Sequence, residues 1–511
     1  MVTRCSKEPG KCLAILGTAS DVGKSVVVTA LCRVFGDLGI HVSPFKAQNM
    51  SNNSFVTSDG GEIGRAQVAQ AEAARLEPHV DMNPVLLKPN SDLGAQVVLH
   101  GKPLITSSAL EYGKMTEKLK EQAASSLGRL RQKYDLIVME GAGSCAEINL
   151  KDRDFVNLPM AQIADAPVVL VADIDRGGVF AQIVGTLEIL SREERDRIKG
   201  VIINRFRGDP VLFEDGISYL ENRTGIPVLG VVPYIHDIGV DSEDAVVLEP
   251  RNTASTGPVH DKVNIAVLKF PHISNFTDFS PLEREPTVKL DYLSNPCSLI
   301  GYDLVILPGT KNVRGDLLWL RKVGFESRLR EYLDIEGRVG GICGGYQMLG
   351  EIIEDPHGVE GYPGSTRGLQ MLDVTTTLLG DKVLTRTEGF WIQGGEKLSG
   401  YEIHQGRTVR QDHVRAAVRF VSQNGMCLED LDGARSENGR VFGTYLHGLF
   451  DEPAFMCSLL AGLRPDLADR IEDEQAETAA KFRDRQYDRL ADCFRSCVDT
   501  DAILRILGHL Q

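Results

Sequence analysis

The apolar run LAIL at 13–16 leads directly into Gly17-Thr-Ala-Ser-Asp-Val-Gly23-Lys24-Ser25, and the apolar stretch VVVTALCRVF follows at once. This feature constrains the fold more tightly than any other in the chain. A buried strand that turns through glycines into a helix gathers backbone N–H groups and the positive end of a helix dipole at one point, and phosphate suits that point. The segment is a variant of the GxxxxGK[ST] phosphate loop, with Thr18 where the first glycine usually stands and Gly17 just before it. Lys24 is placed to reach the β- and γ-phosphates, and the Ser25 hydroxyl to ligate Mg²⁺. Gly17, Thr18, Gly23, Lys24 and Ser25 are therefore the expected ATP-binding set. The strand–loop–helix order demands a parallel α/β sheet around them.

The rest of the chain extends that pattern. Short apolar strands at 42–45, 136–139, 168–172 and 200–203 alternate with amphipathic stretches, and a second series starts at 263–268 and continues at 304–307, 339–342 and 440–444. At roughly 100–200 residues per domain, 511 residues hold more than one domain. The expected division is a phosphate-loop ATP-dependent domain over 1–240, a polar linker over 241–262, a second α/β domain over 263–465 and a charged helical tail over 466–511. Glu140 follows the strand DLIVM, and Asp173 and Asp175 follow VVLVA; carboxylates at that edge of the sheet suit Mg²⁺, with plain exposed carboxylates as the alternative. Asn204, at the end of GVIIN, is a candidate to meet the nucleotide base, or else a simple strand-end turn.

The second series carries a different chemistry. In RVGGICGGYQMLG a short strand meets Cys343 between glycines, just before a helix-forming stretch. A nucleophile on so tight a turn needs small neighbours. His447, after the strand in VFGTYLHGLF, is the natural base for its proton. Gly309, in Leu307-Pro-Gly-Thr-Lys, is positioned to offer a backbone N–H to an oxyanion. A buried structural cysteine, a core histidine and an ordinary turn are the competing readings of these three.

Charge and cysteine usage exclude several classes. A formal charge of −15 argues against a nucleic-acid surface, which is ordinarily basic. The ten cysteines contain no CxxC pair, so neither a zinc ribbon nor a disulfide framework is expected. No run approaches the roughly 18 apolar residues of a membrane span, and no cleavable leader is visible. The expected setting is the cytoplasm, with no nucleic-acid or membrane partner and the oligomeric state left open.

The two chemistries complement each other. A Cys/His site can release ammonia from the glutamine side chain, and a phosphate-loop site can activate a carboxylate by phosphorylation so that ammonia displaces phosphate and leaves an amide. The residues alone reach ATP-dependent amidation of some carboxylate. Five segments carry a resemblance further: PFKAQNMSNNS (44–54), DGGEIGRAQVAQAEAA (59–74), MNPVLLKPNSDLGAQVVLHGK (82–102), EGAGSCAEINL (140–150) and DIDRGGVFAQIVGT (173–186). Together they resemble the cobyric acid synthase family. The phosphate loop looks like the dethiobiotin synthetase-like branch, and strand–CGG–helix with a strand-end His is similar to class I glutamine amidotransferases. Many of those have a Glu two residues after the His; here that position is Leu449, so the third catalytic member is left undetermined.

The resemblance implies a corrinoid acceptor, adenosylcobyrinic acid a,c-diamide, amidated at positions b, d, e and g with glutamine as donor. Lys46, Gln48, Asn49, Arg65, Lys88 and Asp154 are the candidates to meet it, each with a local structural role as alternative. His404, in GYEIHQG, belongs to the family-like pattern with structure and substrate contact equally open. Two rival readings stand beside this one: a cobyrinic acid a,c-diamide synthase, and a phosphate-loop switch ATPase whose amidotransferase-like domain only binds.

Overall fold

The computed structural model describes residues 8–91, 94–236, 238–239, 257–471 and 477–508. Of the linker expected at 241–262, residues 241–256 lie outside the described residues.

The first sheet is built from β1 (Lys11–Gly17), β2 (Val42–Phe45), β3 (Leu136–Glu140), β4 (Val168–Asp173), β5 (Ile198–Phe206) and β6 (Val228–Pro233), with α1 (Lys24–Asp37) following β1 and α2 (Arg65–Ala73) following β2. Its order is β6-β5-β4-β1-β3-β2, and every neighbouring pair is parallel. These strands are nearly continuous runs of Val, Ile and Leu because both faces of a parallel sheet are covered. Their carboxyl ends bring Gly17, Glu140, Asp173 and Asn204 to one edge. β3 extends to include Glu140, and β5 runs on to Phe206, so Asn204 lies inside its strand rather than at its end.

The second parallel sheet joins β7 (Val263–Leu268), β8 (Val288–Leu293), β9 (Leu304–Leu307), β10 (Val339–Ile342), β11 (Ala434–Arg435) and β12 (Val441–Thr444) in the order β8-β7-β9-β10-β12-β11. Only β11 runs antiparallel. α3 (Gly344–Leu349) leaves β10 through Cys343. Two further four-stranded sheets flank this one; the first holds Ile352–Asp355, Gly364–Arg367, Val374–Thr377 and Arg407–Arg410, the second Val383–Trp391, Lys397–His404, Val418–Gln423 and Met426–Asp432. In the N-terminal half a small sheet of Gln48–Met50, Val85–Ser91, Gly94–Leu99 and Lys102–Ser108, and the hairpin Ser54–Val56 with Glu62–Gly64, reach towards the second half.

The halves meet directly. Ser54 N donates to Asn275 Oδ1 (3.1 Å), Phe276 N to Asn53 Oδ1 (3.1 Å), and Arg386 Nε to the Val56 carbonyl (2.9 Å). The tail then returns to the first sheet. α4 (Ala479–Cys497) and α5 (Thr500–Leu507) place Tyr487, Leu490, Phe494, Ile503 and Leu507 in one apolar cluster with Leu13, Ile15, Leu31 and Phe35. The fully buried Arg33 of α1 pairs with Asp484 and lies over the Tyr487 ring. Asp499 N donates to the Leu229 carbonyl at 2.7 Å, extending the contact to β6. Among the described residues no helix is long and apolar enough to cross a membrane.

Candidate active sites

Gly23 precedes α1 with φ 93, in the left-handed region that glycine adopts freely, and a Cβ there would lie 2.2 Å from Asn204 Nδ2. Asn204 Nδ2 donates to the Val22 carbonyl at 2.9 Å, so Asn204 braces the loop from β5. Lys24 Nζ folds back on the loop, 2.8 Å from the Gly143 carbonyl and 3.1 Å from that of Ala19. Thr18 Oγ1 donates to Gln182 Oε1 at 3.3 Å. Ser25 Oγ donates to Glu140 Oε1 at 2.8 Å, and Lys46 Nζ meets the same oxygen at 2.9 Å. Gln70 donates to the other oxygen, Oε2. Burial alone would favour the protonated Glu140, but Lys46 and these hydrogen bonds outweigh it and hold its pKa below the usual value. A hydroxyl and one carboxylate beside a phosphate loop are the hard oxygen donors that Mg²⁺ takes together with phosphates and water, so the residues fit that ion. Asp173 is engaged elsewhere: Oδ2 accepts from Arg205 at 2.8 Å and Oδ1 from the Asp175 N–H at 2.8 Å.

In the second half Cys343 sits at φ 51, ψ −108, a conformation a non-glycine residue holds only under constraint. Its N–H is tied to the Thr444 carbonyl (2.8 Å), and the chain behind it has no room for a side chain: a Cβ on Gly345 would lie 1.9 Å from the Leu307 carbonyl oxygen. His447 is pinned by backbone pairing with Tyr401, whose ring stacks on it at 5.2 Å between centroids. Its Nδ1 is 2.6 Å from Asp278 Oδ2, and Asp278 Oδ1 takes the Gly448 N–H at 3.0 Å. Anchoring Nδ1 leaves Nε2 for the thiol. Burial works against a charged ring here, but the Asp278 carboxylate and the hydrogen bond with Cys343 overcome it and raise the His447 pKa to about 10. Gly309 lies against the imidazole, where an added Cβ would be 3.2 Å from His447 Cε1.

A cavity opens at Cys343. Gln347, His404, Lys311, Glu360 and Lys382 line it, together with Lys88 of the N-terminal half. His404 stacks on Tyr445 at 3.7 Å, and its Nδ1 meets the Gly406 carbonyl at 3.0 Å. The remaining candidates are partnered locally. Gln48 accepts from the Tyr112 hydroxyl, and Asn49 Nδ2 donates to Gln67 Oε1 at 3.0 Å. The Arg65 guanidinium lies 5.0 Å from the Phe55 ring centroid. Lys88 Nζ is 2.7 Å from both Ser54 Oγ and Glu62 Oε1. Asp154 accepts from the N–H groups of Val156 (2.7 Å) and Asn157 (3.1 Å) and from Asn157 Nδ2 (3.0 Å), which closes the turn before helix Leu158–Ile163. The sequence reading missed Asp278, Lys311, Glu360 and Lys382. The missing Glu at Leu449 signalled that a carboxylate must come from elsewhere, but 71 acidic residues offered no way to choose it.

Family comparisons divide the chain along the same lines. The CobQ/CobB/MinD/ParA nucleotide binding domain matches residues 13–245, and the CobB/CobQ-like glutamine amidotransferase domain matches residues 264–455. A cobyric acid synthase of Pelodictyon phaeoclathratiforme is 53% identical over 506 residues, covering 99% of both chains. One of Chlorobium phaeobacteroides is 54% identical over 503 residues, covering 98% of both. One of Chlorobium chlorochromatii is 52% identical over 499 residues, covering 98% of this chain and 97% of its own. Similarity at that level over nearly the full length places this chain in the cobyric acid synthase family.

Proposed function

We propose that the protein amidates corrinoid carboxylates with ammonia drawn from glutamine and at the expense of ATP, converting adenosylcobyrinic acid a,c-diamide to adenosylcobyric acid at positions b, d, e and g. The observation that carries this reading is the presence in one chain of a Cys343–His447–Asp278 constellation and a Ser25–Glu140 pair beside a phosphate loop. An intact thiol–imidazole–carboxylate set also counts against a domain that only binds.

With its proton already held by His447, whose raised pKa keeps the ring charged, Cys343 Sγ attacks the side-chain amide carbon of glutamine. The oxyanion that develops is assigned to the backbone N–H of Gly309, which lies against the imidazole. His447 then returns the proton to the departing nitrogen, so that ammonia leaves and a glutamyl thioester remains for water to hydrolyse. Asp278 orients the imidazole and balances its charge. At the other site Lys24 and the loop N–H groups hold the ATP phosphates while the γ-phosphoryl moves to a corrinoid carboxylate; ammonia attacks the resulting acyl phosphate and phosphate leaves. Mg²⁺ held by Ser25 and Glu140 would neutralise phosphate charge there. None of the nine cysteines among the described residues is joined in a disulfide, which supports a reducing compartment, and we assign the protein to the cytoplasm.

The test supplies ATP, Mg²⁺ and adenosylcobyrinic acid a,c-diamide with either glutamine or ammonium and follows product mass. Wild type should use both donors. Cys343→Ala should lose glutamine-supported amidation by about 10³-fold or more and keep the ammonium-supported reaction. A corrinoid that never changes mass with either donor would sink the substrate assignment.

A further inference from the structure

Asp278 anchors the His447 ring, and the turn that carries Asp278 is completed by the other half of the chain. That turn, Phe276–Phe279, is a single short stretch in which Asp278 N donates to the Asn275 carbonyl at 3.0 Å. Phe276 and Phe279 sink into the apolar core of the second half, which fixes where the turn lies. Apolar burial is non-directional, so it leaves open which way the turn faces. The first N–H groups of a helical turn have no partner within it, and an asparagine just before the turn ordinarily caps them with its side chain. Asn275 stands in that place, at φ 51, and its side chain makes no such cap.

The Asn275 side chain turns to the N-terminal half instead, and a cap comes back from there. Asn275 Oδ1 accepts from Ser54 N at 3.1 Å, and Asn53 Oδ1 accepts from Phe276 N at 3.1 Å. The two asparagines thus exchange bonds across the junction, and both are buried, Asn53 at 2% exposure and Asn275 at 3%. The segment that presents Asn53 is itself braced. Asn53 N donates to Ser51 Oγ at 3.0 Å, and Arg65 N, at the head of α2, donates to the Asn53 carbonyl at 3.1 Å. Ser54 Oγ donates to Glu62 Oε1 at 2.8 Å across the hairpin. Directional bonds therefore run from α2 and the hairpin of the first half to Phe276, two residues before Asp278.

We propose that Asn53 is a positioning residue for glutamine hydrolysis: by capping the Asp278 turn from the N-terminal half it sets the carboxylate against His447 Nδ1, so that the glutaminase site is complete only where the two halves meet. This rests on the glutaminase chemistry proposed above. Without the Asn53 oxygen the buried Phe276 N–H loses this acceptor, a costly state that the turn relieves by shifting. Asp278 Oδ2, 2.6 Å from His447 Nδ1, then shifts with it. Burial disfavours the charged ring and Asp278 sustains it, with a pKa raised to about 10; a weaker pair lowers that value, so the ring discharges at a lower pH. The other ionisable groups near the pair are Cys343, Tyr292 and, around a small cavity that Asp278 lines, Arg65, Arg284, Asp451 and Arg483. Asn53→Ala removes none of them.

The test measures kcat and KM for glutamine against pH in the complete reaction. Asn53→Ala should lower kcat by about tenfold or more, as loss of a buried hydrogen bond does, and leave KM within about twofold. It should also bring the alkaline limb of the profile down by about one pH unit. Ammonium-supported amidation should stay within about twofold of wild type, which certifies the fold. Asn275→Ala, which breaks the reciprocal bond from the second half, should move the limb in the same direction. Because Asn53 acts through Asp278, the double variant Asn53→Ala/Asp278→Asn should be no slower than Asp278→Asn alone. Losses that multiply in the double variant, a limb that stays at the wild-type pH in both single variants, or an unchanged kcat in Asn53→Ala would overturn the role. Loss of the ammonium reaction in Asn53→Ala would also overturn it, by placing Asn53 in the synthetase site. Wild type that hydrolyses no glutamine would overturn the glutaminase chemistry itself, a result separate from any difference between variants.

Discussion

His447 is 1% exposed, yet the chain stabilises its charged form, and a carboxylate 169 residues earlier in sequence is the main reason. In an unfolded chain the ring titrates near pH 6.5; in the fold its pKa is raised to about 10. Between those values the folded protein binds more protons than the unfolded one. The pair's contribution to stability is therefore complete below about pH 6.5 and lost as pH rises through about 10. Asp278→Asn should reduce glutamine-supported amidation by about 10²–10⁴-fold, as expected when a histidine loses its orienting carboxylate, and should spare the ammonium reaction. Urea unfolding between pH 6.5 and 10 should lose part of its pH slope in the same variant. Full glutaminase activity in Asp278→Asn would remove Asp278 from the mechanism.

At the scale of elements, the turn from β10 into α3 is where backbone geometry and chemistry are least separable. A Cβ on Gly345 meets the Leu307 carbonyl oxygen of β9 at 1.9 Å, and main chain cannot step aside as a flexible side chain would. Gly345→Ala should therefore cost about 3 kcal/mol, seen as a lowered melting temperature of the amidotransferase-like half. Cys343 should be displaced enough to abolish glutaminase activity while ATP still binds; unchanged melting and activity would contradict this packing. Such turns, and the strands that feed them, announce themselves in the sequence. Val42–Phe45, Val263–Leu268, Leu304–Leu307 and Val339–Ile342 coincide with the apolar runs that predict them, because a strand covered on both faces is apolar throughout. Strands such as Met426–Asp432 and Arg407–Arg410 are largely exposed and polar, so no run or alternation marks them. Asp278 was hidden for another reason: NFTDFS carries no motif, and only the approach of the 275–279 turn to β12 and His447 gives it a role. Asn204 and Asp154 show the converse, residues at suggestive positions whose side chains are occupied in holding a loop and a turn.

At the scale of the whole molecule, the ATP-binding half is completed by the segment furthest from it in sequence. Phe494 is fully buried among residues of β1 and α1. Phe494→Ala should cost about 3–5 kcal/mol and weaken nucleotide-dependent thermal stabilisation, although Phe494 touches neither site. If only the amidotransferase-like half lost stability, the assignment of this core would be wrong. The same contact sets a timetable for biosynthesis. Arg33 and its partner Asp484 are 451 residues apart, and at roughly 5–20 residues per second a ribosome needs about 20–90 seconds to travel between them. Over that interval the emerging ATP-binding half holds an uncovered apolar flank while the amidotransferase-like half is synthesised in full. The half made first is the half that finishes folding last, and during each round of translation it is the part most in need of a chaperone.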